Sequence, residues 1–105
     1  MASDYGYLVF IKDQLSELQA VTYRAMMGEY IIYYRGKIVG GIYDNRLLVK
    51  PVKSARSLMP NAPYALPYEG ARAMLLVENV DDREFLMRLI TAMYDDLPMP
   101  KEKKK

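Results

Sequence analysis

The segment from Val21 to Lys50 constrains the fold more than any other part of this sequence. Two turn signals divide it, Arg35-Gly36 and Asp44-Asn45, and around them lie short runs rich in valine, isoleucine and tyrosine. Glycine accepts the positive φ that a tight hairpin needs, and Asp and Asn tolerate the left-handed region. The pattern predicts a meander of four short antiparallel strands, over residues 21–26, 29–34, 37–43 and 46–50.

Apolar residues recur at helical spacing both before and after this segment of the sequence. Before it, an apolar stripe predicts a helix over residues 4–18 that Ser3 or Asp4 caps through its side chain; the stripe consists of Tyr7, Leu8, Ile11, Leu15 and Leu18. After it, a second stripe predicts a helix over residues 81–97, with Asp81 as its cap; this stripe consists of Leu86, Leu89, Ile90, Met93 and Leu97.

Prolines interrupt the region between these parts. Pro51 suits the first turn of a helix, and about two helical turns can follow it. Pro60, Pro63 and Pro67 then break regular structure, and residues 73–78 are predicted to form a further strand. The chain is therefore predicted to be an α+β, two-layer domain, with an antiparallel sheet of about five strands, two long helices on one of its faces and one short helix.

The length of 105 residues supports one hydrophobic core, so we predict a single domain over residues 1–98. Residues 99–105 contain four lysines and one glutamate and are predicted to be a disordered basic tail. The positive charge of this tail, four lysines against one glutamate, exceeds the net charge of the whole chain, +2, so the rest of the chain is slightly acidic. A slightly acidic domain without a basic recognition helix predicts no direct sequence-specific binding of DNA.

Two absent residue types limit the chemistry. The chain has no cysteine and no histidine, which removes thiol nucleophiles, thiolate metal sites and the usual general base. We predict that it is not an enzyme and that it has no catalytic, cofactor-binding or metal-binding residues. The rival enzyme class is a carboxylate-based hydrolase, with Asp81-Asp82 and Asp95-Asp96 as its acidic pairs.

No apolar run approaches the length of a membrane span, and the N-terminus lacks the pattern of a signal peptide. These features predict a cytoplasmic protein that does not enter a membrane.

The tyrosines are distributed over both faces of the predicted sheet. In the second strand, Tyr30, Ile32 and Tyr34 share one face, and Ile31 and Tyr33 share the other. The helices must cover one face, so we predict a partner surface on the helix-free face and at the first turn, made by Met27, Glu29, Tyr33 and Tyr43. The partner is another protein or a second copy that forms a homodimer. The alternative is a small nucleic-acid-binding module that uses the tyrosine-rich sheet and the basic tail.

Three stretches resemble the TfoX (Sxy) N-terminal domain family. They are Thr22–Tyr30, Tyr34–Lys37 and Asp44–Lys50, and the resemblance extends over residues 3–97. The chain departs from the family pattern at Met27, where the family has phenylalanine, at Glu29, where it has a second glycine, and at Gly40-Gly41, where it has bulkier residues.

The resemblance implies a two-layer α+β domain related in shape to secretion-chaperone-like folds. It implies no catalytic residues and no cofactor. Longer members of this bacterial family join the domain to a helical C-terminal domain and act as transcriptional co-regulators of natural competence. By resemblance, this chain is expected to be a stand-alone domain with a regulatory or adaptor role, exerted through protein–protein contacts.

Overall fold

The computed structural model describes residues 3–98 and contains three α-helices and one six-stranded sheet. The helices are α1 (Tyr5–Gln14), α2 (Lys53–Leu58) and α3 (Arg83–Met93), and a 3₁₀ turn (Tyr94–Asp96) follows α3. The strands are β1 (Val21–Met26), β2 (Glu29–Tyr34), β3 (Lys37–Ile42), β4 (Leu47–Val49), β5 (Tyr64–Ala65) and β6 (Met74–Leu76). They lie in the order β1-β2-β3-β4-β6-β5, and every neighbouring pair is antiparallel. The predicted α+β class is confirmed, with six strands in place of about five.

Tight turns connect the first four strands. The turn residues Met27-Gly28, Arg35-Gly36 and Asp44-Asn45 all have positive φ, between 51° and 86°. Two such residues in succession give a hairpin turn whose twist matches that of the strands it joins. The meander predicted from the turn signals is therefore present.

One face of the sheet packs against the helices and forms the core. Ile32 and Tyr34 of β2 are buried there at 1% and 6% exposure, together with Leu8 and Ile11 of α1. The same cluster includes the buried side of α3, formed by Leu86, Leu89, Ile90 and Met93. The alternation predicted for β2 is confirmed, since its even-numbered residues face this core.

Gly40 and Gly41 allow β3 to approach its neighbours closely. The register between β2 and β3 shifts between Ile32 and Tyr33, which marks a β-bulge at Val39 of β3, directly before this glycine pair. A Cβ on Gly40 would overlap with the carbonyl oxygen of Leu48, and a Cβ on Gly41 would lie 2.6 Å from the Tyr43 ring. The close neighbours of these glycines are thus the backbones of β4 and β2 and the ring of Tyr43.

Both long helices are shorter than predicted. Helix α1 ends at Gln14, because Leu15 leaves the helical region and Ala20 adopts a φ of 67° on the way into β1. Among the residues that the structure describes, no side chain caps α1, since Ser3 and Asp4 bond to other parts of the chain. Helix α3 is capped by Asp82, not Asp81: the Asp82 carboxylate accepts a hydrogen bond from the Phe85 amide at 3.1 Å.

The proline-rich region contains one strand that the prediction missed. Tyr64 and Ala65 form β5, which pairs with β6 although Pro63 and Pro67 flank it. Two residues are too few for periodicity to reveal, and prolines beside an edge strand are tolerated because its outer amides need no partner. The predicted basic tail at residues 99–105 lies outside the described residues.

Candidate protein-binding surface

On the sheet face opposite the helices, a loop covers one part of the sheet and leaves another part open. The cover is the loop of residues 66–73, in which Pro67 is buried and the ring of Tyr68 lies 6.2 Å from the ring of Tyr43. Beneath it, Leu48 is fully buried and Tyr43 is 7% exposed. Burial raises the pKa of the Tyr43 hydroxyl, with smaller contributions from the nearby Tyr68, Glu29 and Tyr33.

The open side is a groove of about 610 Å³ between the sheet and this loop. Its walls are mostly apolar and come from four strands and the loop; they include Met26, Ile31, Ile38, Tyr43, Tyr68 and Met74. Among the lining residues within the described range 3–98, Lys50 and Arg72 alone are charged. Neither forms an ion pair with any residue in the described range 3–98. The groove therefore combines apolar walls with an uncompensated positive charge.

The four residues predicted to form the partner surface occupy different environments. Met27 is 96% exposed at the tip of the first hairpin, and Glu29 and Tyr33 are half-buried. Tyr43, expected to be exposed, is buried, because the loop of residues 66–73 packs over a face that no helix covers. Of the four, Tyr43 alone lines the groove. A platform for stacked bases would need exposed rings, and on this face Tyr43 does not supply one.

Sequence reasoning missed most of the groove. The alternation in β2 had placed Ile31 on this face, and the same parity applied to β3 would have identified Ile38. Arg72 could not be placed this way, because it lies in the loop before β6, where the residues have no strand periodicity.

Glu29 holds the N-terminal segment against the third hairpin turn, Asp44-Asn45. Its carboxylate accepts a hydrogen bond from the Ser3 hydroxyl at 2.6 Å and one from the Asp44 amide at 3.2 Å. The Ser3 hydroxyl in turn accepts from the Asn45 amide at 3.0 Å, and the Ser3 amide donates to the Gly28 carbonyl. The Glu29 carboxylate thus joins the N-terminal segment to the turn, and these contacts leave Ser3 only 9% exposed.

We expect Ser3→Ala to lower the free energy of unfolding by about 1–2 kcal/mol, because it leaves the part-buried Asn45 amide without its acceptor and removes one of the two hydrogen bonds that the Glu29 carboxylate accepts. Chemical denaturation measures the loss. Ser57→Ala is the matched control, since Ser57 is exposed on α2 and should change stability by less than about 0.5 kcal/mol. Equal effects of the two substitutions would contradict the structural role of the Ser3 hydroxyl.

The carboxylate pairs do not converge. Asp82 caps α3, and the Asp96 carboxylate accepts a hydrogen bond from the Ser54 amide at 2.9 Å, at the start of α2. The Ser54 side chain and, to a smaller extent, this bond lower the pKa of Asp96. In the part of the chain that the structure describes, acidic residues form no group of three able to hold a metal ion.

Within residues 3–98, each helix is too short or too polar to cross a lipid bilayer. The longest, α3, has 11 residues.

Two comparisons with known proteins match almost all of the chain. A sequence profile of the TfoX N-terminal domain matches residues 13–95. The chain is also 34% identical, over 108 aligned residues, to an uncharacterized 12.7 kDa protein in the trpE 5′ region of Spirochaeta aurantia; the alignment covers 99% of this chain and 91% of that protein. No solved structure matches the chain significantly. Both matches include the strands that form the groove.

Proposed function

The chain belongs to the TfoX N-terminal domain family, and we propose that it is a non-enzymatic adaptor domain of the cytoplasm that acts in transcription regulation through protein–protein contacts. The groove on the helix-free face carries this proposal. It presents apolar side chains from several strands at one place, as the centres of protein interfaces do. A groove of this kind holds a segment of a partner more readily than it holds a transition state, for which the described part of the chain offers no convergent acid and base.

The charges of the groove define the chemistry of the partner segment. Of the residues that the structure describes, Lys50 and Arg72 line it and no acidic residue does. A bound segment with an apolar side chain for the walls and a carboxylate for these two cations would complement both properties. We therefore propose that the occupant is an acidic, apolar segment of another protein.

A displayed library of random peptides, selected against the purified chain, tests this proposal. The enriched peptides are expected to combine an apolar residue with an aspartate or glutamate. Arg72→Glu should weaken their binding by about tenfold, because the new carboxylate repels theirs. Arg56→Glu is the matched control: Arg56 is exposed on α2 and does not line the groove.

Peptides that lack acidic residues, or that bind the Arg72→Glu and Arg56→Glu variants equally, would contradict the groove as the binding site. A salt-dependent shift of duplex DNA at physiological ionic strength, by a chain lacking residues 101–105, would favour the nucleic-acid alternative instead. Turnover of an ester or glycoside by the purified chain would overturn the non-enzymatic assignment.

A further inference from the structure

The two edges of the sheet differ in how they are protected against pairing with another strand. The β5 edge has two residues, and Pro63 and Pro67 flank it. The β1 edge has six residues, Val21 to Met26, without proline and with a single charge, at Arg24. Short strands and prolines are the usual protection of a sheet edge. The β1 edge lacks both and is therefore available to a further strand.

The hydrogen bonds of β1 define which of its backbone groups face outward. The Arg35 amide donates to the Ala20 carbonyl at 2.9 Å, and β1 pairs with β2 in an unbroken antiparallel register from there to Met26–Glu29. Hydrogen-bonded pairs alternate with non-bonded pairs in such a ladder, so the even-numbered residues of β1 bond to β2. Val21, Tyr23 and Ala25 direct their amides and carbonyls away from the sheet. Among the described residues, these groups take part in no turn, cap or side-chain hydrogen bond.

Solvent reaches most of this strand. Thr22, Arg24, Ala25 and Met26 are exposed. Tyr23 is half-buried on the helix side, with the Lys12 ammonium 5.6 Å from the centre of its ring. Burial raises the pKa of Tyr23 to about 12, so its side chain is uncharged at neutral pH. Within residues 3–98, four of the six residues of β1 are thus open to solvent.

We propose that β1 pairs with β1 of a second copy of this chain, antiparallel, with Tyr23 of both copies at the two-fold axis. In this register Val21 of each copy faces Ala25 of the other, and the outward groups of all three residues form about six main-chain hydrogen bonds. Arg24 lies opposite Thr22 of the other copy. The two six-stranded sheets become one continuous sheet.

Charge and the number of hydrogen bonds select this register over the two neighbouring ones that the backbone groups allow. Moving the axis to Thr22 would leave Ala25 opposite Gln19, outside the strand, and keep about four main-chain hydrogen bonds in place of six. Moving the axis to Arg24 would place two arginines directly opposite each other, which destabilises a strand pair. The strand is thus self-complementary around Tyr23, as a two-fold interface requires. The proposed dimer is formed by the outer edge of β1, so it does not depend on the groove or on the occupant of the groove. Strand pairing buries little surface, so we expect a reversible dimer whose population rises with concentration.

Sedimentation velocity over a wide range of concentrations tests the dimer, and Ala25→Pro tests the edge. Proline removes the outward amide of Ala25 and leaves the bonds to β2, and edge strands accept it. The Ala25→Pro variant is expected to remain a monomer at concentrations at which the natural chain dimerises. Ala25→Val keeps the amide and is the matched control, with dimerisation expected to persist.

Two substitutions at the exposed Thr22 test the register without depending on a proline. Thr22→Glu should tighten the dimer several-fold, because each glutamate faces Arg24 of the other copy. Thr22→Arg should weaken it by a similar factor, because like charges then face each other. Circular dichroism checks that all variants retain the fold.

A natural chain that stays monomeric at every concentration would overturn the proposal. Equal dimerisation of the Ala25→Pro and Ala25→Val variants would exclude the β1 edge. Shifts of the same sign for Thr22→Glu and Thr22→Arg would exclude the register with Tyr23 at the axis.

Discussion

Replacing Gly40 by alanine should destabilise the protein by about 3 kcal/mol or more, at the upper end of what overpacking a core costs. The added methyl group would overlap with the Leu48 carbonyl oxygen and lie 2.7 Å from the Cα of Val49. These are backbone atoms of the neighbouring strand, which cannot rotate away as a side chain does. Relief would require β3 and β4 to separate in the centre of the sheet.

Urea denaturation of the Gly40→Ala variant measures this loss, and Gly6→Ala provides the control. Gly6 lies in α1, and a Cβ there meets nothing within 4 Å. Alanine favours a helix over glycine, so Gly6→Ala should stabilise the chain by about 0.5–1 kcal/mol. The two glycine-to-alanine changes are thus expected to have opposite signs. A Gly40→Ala variant as stable as the natural chain would refute the close packing of β3 on β4.

Lys37→Met should destabilise the protein by about 2–3 kcal/mol, although it replaces a charge by an apolar side chain of similar length. Lys37 is 8% exposed at the start of β3. Its ammonium group donates a hydrogen bond to the Tyr94 carbonyl at 3.0 Å and lies 4.0 Å from the centre of the Tyr94 ring. Helix α3 has no basic residue in its own last turn. Lys37 therefore supplies, from the sheet, the positive charge that the carbonyl end of a helix favours.

Lys12→Met is the matched control for this prediction. Lys12 also lies over a tyrosine ring, but at 5.6 Å from its centre and on the exposed surface of α1. An exposed contact of this kind contributes about 0.5–1 kcal/mol at most. Denaturation curves at low and high salt separate the two sites, because salt screens exposed charges more than buried ones. If Lys37→Met and Lys12→Met lowered the free energy of unfolding equally, the Lys37–Tyr94 contact would contribute no more to stability than an exposed contact.

Local signals in the sequence were sufficient for most of the fold. The Arg35-Gly36 and Asp44-Asn45 turns each bring adjacent strands together, so turn chemistry and alternation together define the meander and the buried face of β2. Helix α3 was recognised from its apolar stripe, with an error of one residue at its cap. In each of these cases, the residues that decide the structure lie within a few positions of one another.

Long-range contacts could not be predicted in the same way. Tyr43 was predicted to be exposed, because nothing near it in the sequence indicated that a loop some 25 residues later would cover it. The hydrogen bond from Ser3 to Glu29 and the one from Lys37 to Tyr94 likewise join distant parts of the chain. A lysine in an amphipathic strand is ordinarily read as exposed, and its burial follows only from the position of the helix end above it.

The strand order has a consequence for the kinetics of folding. The first four strands are joined by two-residue turns or short connections and can form by local hairpin closure, on a timescale of about 1–10 μs per hairpin. Strand β6 must then dock beside β4 across the α2 segment, and β5 reaches the sheet only through β6. We therefore expect the β5–β6 unit to join the sheet late in folding and to leave it early in unfolding. Substitutions there should change mainly the unfolding rate, whereas substitutions in the meander should change the folding rate.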